Sequence, residues 1–391
     1  MAHADGFWSM MVAASCVGTG TAIFKPSVQG AVAQSLNEGN SGFGFGIFYW
    51  VVNVGGFLAP MAAAWARGTT ENPTWHYVFY GAALVTLINF IPAVFLFREP
   101  ERENAGPPRP AGQVLRETLG VLWRDQQMLR FLLIISGFWF MFMQLWDLLP
   151  NFIDEWVDTR DVGRGLTFLL GSKASSFLDS GGGAKPEILI NIDSFAILLL
   201  VLPLSWFFGR FRMMVVLVVG MALSVVGFVG AGLASTGLWC GLMIFVFALG
   251  EITCSPKFTE YMGMTAPAER KALYMGYSNI PFAVGWAAGN GISGWLYDRF
   301  ASIHVLARRY LAEEAGMAQA QLEAFSAEEL LPAVAQAIGG ATPQAARTLL
   351  WETYHPWIIW LMLGSVGVAS VIAMVFFYRQ AQAQAQAQGQ G

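Results

Sequence analysis

The stretch MMVVLVVGMALSVVGFVGAGLASTGLWCGLMIFVFALG, Met213 to Gly250, decides the fold, because it holds no charged residue over its whole length. A helix crosses the hydrocarbon core of a bilayer with about 20 apolar residues. This stretch is too long for one crossing, and the small and polar residues Ala234, Ser235, Thr236 and Gly237 divide it into two, the second running on to about Lys257. Working outward, further charge-free stretches occupy residues 6–24, 39–66, 72–97, 131–146, 194–209, 272–297 and 353–378, and the one from 131 is expected to continue through Asp147 to Phe152. The reading is an all-α integral membrane protein with about nine transmembrane helices.

Composition agrees with that class. Of 391 residues, 55% are hydrophobic and only 12% charged, against about a quarter charged in soluble domains. The formal net charge of −4 gives no reason to expect nucleic acid or another polyanion as a partner. Cys16, Cys240 and Cys254 all sit in apolar runs, which suggests neither a disulfide framework nor a metal site. The four histidines, His3, His76, His304 and His355, lie near span ends or in loops, and no nucleophile with a base or metal-ligand cluster accompanies them. The sequence therefore reads as no enzyme, with no cofactor.

Positive charge collects on the cytoplasmic side of membrane proteins. Residues 98–130 carry six arginines against five acids, and the turn at Arg210 and Arg212 is purely basic. Residues 154–193 and 298–352 each carry seven acids against four bases. The expectation is a protein of the cell (cytoplasmic or inner) membrane with its C-terminus in the cytoplasm, and alternation then puts the N-terminus outside.

Two halves flank a central loop. Residues 1–98 hold three spans. Residues 99–127 form a cytoplasmic linker, with the proline-rich ENAGPPRPAGQ at Glu103 to Gln113 followed by a surface amphipathic helix around Val114 to Trp123. Residues 128–380 hold six spans and an external insert at 301–354. In that insert Ser326 with Glu329 makes a capping box, and Thr342 before Pro343 makes an N-cap, so two or three short helices are expected. Residues 381–391, a low-complexity repeat of Gln and Ala, are expected to be disordered.

Inside the spans, polar residues are few and fall at helical spacing. In FYWVVNVGGFLAP, Tyr49, Asn53, Gly56 and Pro60 share a face. Asn53 there either lines a cavity or makes a packing hydrogen bond between helices. In FWFMFMQLWDLLPN, Phe140, Gln144, Asp147 and Asn151 form one stripe, with Pro150 freeing the carbonyl of Trp146. That stripe is read as lining a cavity, the alternative being that Asp147 is simply wet near the surface. In LGEITCSPKF, Glu251 and Ser255 lie one turn apart, and Pro256 is expected to break the helix after them. A carboxylate in low dielectric resists ionisation, which suits it to take up and release a proton. The other reading is a permanent ion pair with Lys25, the charge that closes the first apolar run in GTGTAIFKPS, where it costs roughly 2.5 to 3.5 kcal/mol of insertion energy. On both readings Lys25 and Glu251 face the interior.

These motifs bear a resemblance. GTGTAIFKPS followed by FYWVVNVGGFLAP resembles the fourth and fifth helices of the proton-dependent oligopeptide transporter family, a branch of the major facilitator superfamily. GEITCSP and TAPAERKALYMGYSNIPFAVGWAAGNGISG are similar to its tenth and eleventh helices. The resemblance implies a major facilitator helical bundle represented here by helices 4–12. It also implies a substrate-binding set of Lys25, Tyr49, Asn53, Gln144, Asn151, Glu251 and Ser255, with Glu251, Asp147 and Lys25 in proton coupling. Lys25 would meet a substrate carboxylate, Asn53 the peptide backbone and Glu251 the peptide amino terminus, a cation and an anion holding a zwitterion between them.

Three departures stand beside it. The family's first-helix Glu-x-x-Glu-Arg is missing, since the chain begins at what resembles helix four, and the expectation is a start codon further upstream with residues 1–98 the remnant of the N-terminal bundle. Met143 precedes Gln144 where the family often has an acid, and Asp147 is the candidate substitute. INIDSFAI stands where Asn-Pro is usual, leaving Asp193 or Ser194 to serve. The functional expectation is proton-coupled symport of small peptides or related zwitterions by alternating access, with protons, a small-molecule substrate and the lipid bilayer as partners. The alternatives are a major facilitator carrier of another solute (drug, sugar or metabolite) and a truncated, non-transporting membrane protein.

Overall fold

The computed structural model describes residues 1–36, 41–67, 75–96, 111–266, 271–340 and 342–388. The proline-rich part of the linker, residues 103–110, lies outside them. Among the described residues the chain is helical, with α1 (Phe7–Gln34), α2 (Ser41–Arg67), α3 (Trp75–Ile88), α4 (Phe90–Phe95), α5 (Ala111–Arg124), α6 (Gln126–Phe142), α7 (Gln144–Asp147), α8 (Leu149–Trp156) and α9 (Arg160–Leu170). After a 3-10 turn at Gly171–Phe177 come α10 (Pro186–Phe208), α11 (Met213–Gly232), α12 (Gly237–Thr265), α13 (Lys271–Tyr277), α14 (Ile280–Phe300), α15 (Ile303–Glu313), α16 (Gln319–Glu323), α17 (Ala327–Ala337), α18 (Pro343–Tyr354) and α19 (Ile358–Gln388).

Seven stretches among the described residues are long and apolar enough to cross a membrane: Phe7–Val32, His76–Phe95, Gln126–Asp147, Pro186–Phe208, Met213–Gly232, Gly237–Thr265 and Ile358–Gln384. The other two expected spans fall in α2, whose apolar part is the shorter Phe43–Ala59, and in α14. The latter is 21 residues long but carries four glycines, Asn290 and Ser293, which dilute its hydropathy.

Prolines act according to position. Pro150 stands in the first turn of α8, after a break at Leu148. Pro256, expected to end its helix, lies inside an unbroken α12. A membrane helix loses one backbone hydrogen bond at such a proline and keeps its course through neighbouring helices and local hydroxyl bonds. Thr253 Oγ1 donates to the Leu249 carbonyl at 2.7 Å and Thr259 Oγ1 to that of Ser255 at 3.1 Å. The Gln-Ala repeat differs likewise from expectation: α19 continues through it to Gln388, because both residues rank among the good helix formers.

The described chain divides into two compact units. The first comprises residues 1–129, 197–216 and 255–279. In it α1 packs along α13, where the Asn279 amide donates to Gln29 Oε1 at 3.2 Å. Trp50 Nε1 donates to the Leu198 carbonyl at 2.9 Å, and Gly46 lets Ser205 approach so closely that a Cβ there would stand 3.1 Å from its hydroxyl. Asp125 ties two elements, accepting from Met128 N at 2.9 Å and from Tyr274 OH at 3.1 Å. Large apolar side chains of α1 and α3, among them Phe7, Trp8, Ile23, Leu84 and Val85, stay exposed.

The second unit comprises residues 130–196, 217–254 and 280–391. Its core is aromatic, with Phe131, Phe138, Phe152, Phe228, Phe247 and Trp360 fully buried. Small residues set its closest contacts, as expected where helices must pack without water to drive them together. A Cβ on Gly220 would stand 2.6 Å from the Cys254 amide nitrogen, and one on Gly227 2.6 Å from Phe247 Cα, so α11 lies backbone to backbone on α12. The buried stripe Pro281, Gly285, Gly289, Ser293 and Tyr297 of α14 follows the four-residue helical spacing, and a Cβ on Gly285 would stand 2.7 Å from the Phe140 nitrogen.

The insert holds four helices, α15 to α18, where two or three were expected. Ser326 and Glu329 close the N-terminus of α17 at 2.8 and 2.9 Å, and Thr342 Oγ1 accepts from Ala345 N at 3.3 Å. The insert is anchored through Glu155 of α8, which accepts from Tyr297 OH and from the Ile303 amide, each at 2.9 Å. Trp156 Nε1 adds a bond to the Ala301 carbonyl at 2.8 Å.

Candidate functional site

The second unit brings several uncommon polar groups into its apolar helices. Gln144 comes first in chain order. It opens the short helix α7, directly after the break at Met143, and is wholly buried. Its Nε2 donates to the Phe140 carbonyl at 3.0 Å, while its Oε1 finds no partner among the described residues. A Cβ on Gly289 would stand 2.5 Å from Nε2, so the amide occupies the space that a glycine on α14 leaves open. Just before it in the chain, Trp139 meets Phe282 with ring centroids 4.0 Å apart, and Phe142 meets Phe247 at 4.6 Å.

One turn on, Asp147 accepts a hydrogen bond from Trp286 Nε1 at 2.6 Å. It is half-buried, so the aspartate is neither sealed in the core nor freely wet. Asn151, next on the expected stripe, is exposed. Only the Gln144 end of that stripe is enclosed.

Asp193 is the polar residue that charge punctuation hid. The charge-free stretch begins after it, so it read as a boundary, yet α10 starts at Pro186 and carries Asp193 two turns inside. The residue is 0% exposed, and neither carboxylate oxygen has a hydrogen-bond partner among the described residues. Glu251 on α12 is also buried, 7% exposed. Ser224 of α11 is also fully buried with its hydroxyl unpartnered among the described residues, and it lies against Gly250, the residue before Glu251. The signal for Asp193 is in INIDSFAI: an acid seven residues past the prolyl start of a helix that goes on into an apolar run.

The remaining expected residues belong to the first unit. Lys25 is exposed on α1. Tyr49 and Asn53 are half-buried on α2, and Asn53 Nδ2 donates to the Tyr49 carbonyl of its own helix at 2.9 Å. That bond is internal to the helix and serves neither of the two expected roles, leaving the side-chain oxygen as the group that a partner would use. Ser255 is buried on α12, near a closely held ion pair in which Lys257 Nζ meets Glu260 Oε2 at 2.7 Å with both side chains largely buried.

Comparison with known proteins places this helical assembly. The chain is 23% identical over 314 residues to multidrug resistance protein MdtH of Edwardsiella ictaluri, covering 78% of this chain and 68% of that protein. It is 21% identical over 299 residues to the MdtH of Yersinia enterocolitica, covering 76% and 66%. The MdtH of Cronobacter sakazakii is 26% identical over 191 residues, covering 49% and 42%. The chain thus spans between 42% and 68% of the length of these relatives, which are named for drug resistance and not for peptide transport. Residues 1–290 match the Major Facilitator Superfamily, and the chain is an integral membrane protein that belongs to it.

Proposed function

We propose that the chain acts as a secondary carrier of a small, amphipathic, drug-like solute, moved across the cytoplasmic membrane by alternating access. The observation that carries this reading is a superfamily match over residues 1–290 joined to the buried polar residues Gln144, Asp193 and Glu251 in spans that are largely apolar and aromatic. A polar residue in a membrane helix is costly to place and is a functional-site candidate by default. The names of the relatives add the drug-like class. The run of aromatic and methionine side chains that leads to Gln144, Trp139 to Met143, supports it, since such groups are apolar and adaptable partners for varied ring systems.

Peptide symport, the first expectation from the motifs, is the second reading. What favours it is the pair of opposite charges in family-like positions, Lys25 in GTGTAIFKPS and Glu251 in LGEITCSP. On this reading Tyr49, Asn53, Asn151 and Ser255 join them in holding a peptide, with Asp147, Glu251 and Lys25 coupling protons. Orientation with the C-terminus in the cytoplasm is part of both readings.

Proteoliposomes holding the full chain separate them. Under an imposed pH gradient, a cationic amphipathic dye is expected to move and a labelled dipeptide is not. Dipeptide uptake without dye movement would reverse the order of the two readings. Folded protein that moves neither under any gradient would overturn the carrier reading and leave a non-transporting membrane protein.

A further inference from the structure

Away from the spans, the second unit holds a pocket of about 250 Å³. Its walls come from the junction of α8 and α9, from the glycine-rich loop before α10 and from α18 of the insert. None of Gln144, Asp193 and Glu251 lines it. On the orientation read from the charge distribution it belongs to the outer side. The volume lies below the roughly 300 Å³ at which pockets begin to hold drug-sized ligands, so a smaller solute fits it than the one proposed above.

The walls are fixed by hydrogen bonds. The Asp158 amide donates to the Ser235 carbonyl at 3.0 Å, and the Asp158 carbonyl accepts from Gly237 N at 2.8 Å. Thr159 is laced to Ala184 twice, its hydroxyl donating to the Ala184 carbonyl at 2.9 Å and its carbonyl accepting from the Ala184 amide at 3.2 Å. Asp179 accepts on one carboxylate oxygen, Oδ1, from the amides of Gly181 and Gly183 at 2.7 and 2.8 Å, which turns the glycine loop back on itself. A pocket with walls set in this way loses little freedom when a solute enters it.

The charges of the pocket are only partly matched. Asp158 has both its oxygens taken by the Arg160 guanidinium, at 2.8 and 2.6 Å. Asp154, the second oxygen of Asp179 and the guanidinium of Arg347 are left over among the described residues, and they line the same space. No ion pair joins Arg347 to either acid among the described residues, and its Nε is enclosed without a hydrogen-bond partner there. An arginine in a structural role would be forked onto a carboxylate, since an enclosed guanidinium without one carries its desolvation cost uncompensated. A simple anion would answer the arginine but meet two carboxylates, and a simple cation would answer the acids and leave the arginine as it is. A molecule with a carboxylate and an ammonium group a few atoms apart answers both.

We propose that this pocket binds a small zwitterion of the amino-acid class, its carboxylate on Arg347 and its ammonium on the acids Asp154 and Asp179. Bound there, the solute joins α18 of the insert to the junction of α8 and α9, close to the helix end that Glu155 already anchors. Such binding does not depend on what the spans carry.

Calorimetric titration of the full chain in nanodiscs tests the site with glycine, L-alanine, acetate, methylammonium and calcium, each alone. Glycine and alanine are expected to bind, whereas acetate and methylammonium, which each carry half of the charge pattern, are not. Arg347→Gln and Asp154→Asn are each expected to weaken glycine binding by on the order of ten-fold or more, the loss of one charge-assisted contact. Their melting temperatures are expected to stay near that of the parent chain. If Arg347→Gln does not fold, Arg347→Lys keeps the charge without the fork and is expected to bind glycine more weakly. Glycine binding that survives the changes at both Arg347 and Asp154 would overturn the proposal, since the solute would then sit elsewhere. Equal binding of acetate or of calcium would overturn it too, by making the pocket a plain ion site, as would folded protein that binds neither glycine nor alanine.

Discussion

The indole nitrogen of Trp286 donates to a carboxylate oxygen of Asp147 at 2.6 Å, linking α14 to the short helix α7 that interrupts a membrane span. The bond joins a residue that the sequence marked for function to one that it passed over. It also sits beside the place where Gly289 of the same α14 admits the Gln144 amide, so both polar groups of that interrupted span are held by one helix.

A double-mutant cycle reads the worth of this link. Trp286→Phe and Asp147→Ala are each expected to lower thermal stability slightly, and the double variant to fall short of their sum by on the order of 1 kcal/mol, because each change removes the same bond. Additive losses in thermal-shift measurements would mean that the contact contributes nothing in the membrane.

Gln144→Met separates packing from use. The amide oxygen is buried without a partner among the described residues, and removing such a group at similar volume is close to neutral or favourable for folding. The variant is expected to keep its thermal stability or gain slightly while dye movement falls several-fold. Unchanged transport would take Gln144 out of the substrate site.

Glycines test where α11 meets α12. Gly227→Ala puts a methyl group 2.6 Å from Phe247 Cα and 2.7 Å from the Met243 carbonyl oxygen, both backbone atoms that cannot turn aside. The expected cost is roughly 1–3 kcal/mol, seen as a lower melting temperature and poorer monodispersity in detergent. Gly81→Ala meets nothing within 4 Å and is expected to be neutral or mildly stabilising, since alanine is the better helix former.

Glu155 gives a pH dependence outside the spans. Burial pushes its carboxyl above the ordinary glutamate range, against the opposing effect of its bonds to Ile303 and Tyr297 and of nearby His304, with Asp154 adding to the rise. An acid that holds its proton more firmly folded than unfolded stabilises the fold most below the ordinary range of about 4.3 and loses that contribution as pH rises through its folded value. Glu155→Gln is expected to flatten this part of the stability-versus-pH curve. An identical slope in the variant would show that the insert's anchor is insensitive to protonation.

Much of the fold was legible because lipid admits so few backbone solutions. Charge-free runs of about 20 residues marked most of the spans, and Ser326 and Thr342 announced helix starts by local chemistry alone. Pro256 and the Gln-Ala tail were misread for the same local reason: a breaker in water is tolerated inside a packed membrane helix, and a repetitive composition is still a helical one when its residues favour that state. The site was less legible. Gln144 and Glu251 stood out as polar residues within apolar runs, but Asp193 looked like the edge of a run, and nothing in Asn53's surroundings foretold that it would bond to its own helix.

The amino-acid order by itself determined that this chain enters a membrane, where its helices lie and which few polar residues they carry, since each of these follows from a transfer free energy or a dihedral preference that acts within a few residues. Which of those polar groups are satisfied was decided only by tertiary packing. Asp147 found an indole from α14 and Glu155 a tyrosine and an amide, while neither carboxylate oxygen of Asp193 found a partner among the described residues, because groups far apart in the chain meet only once glycine-lined helices have closed on one another.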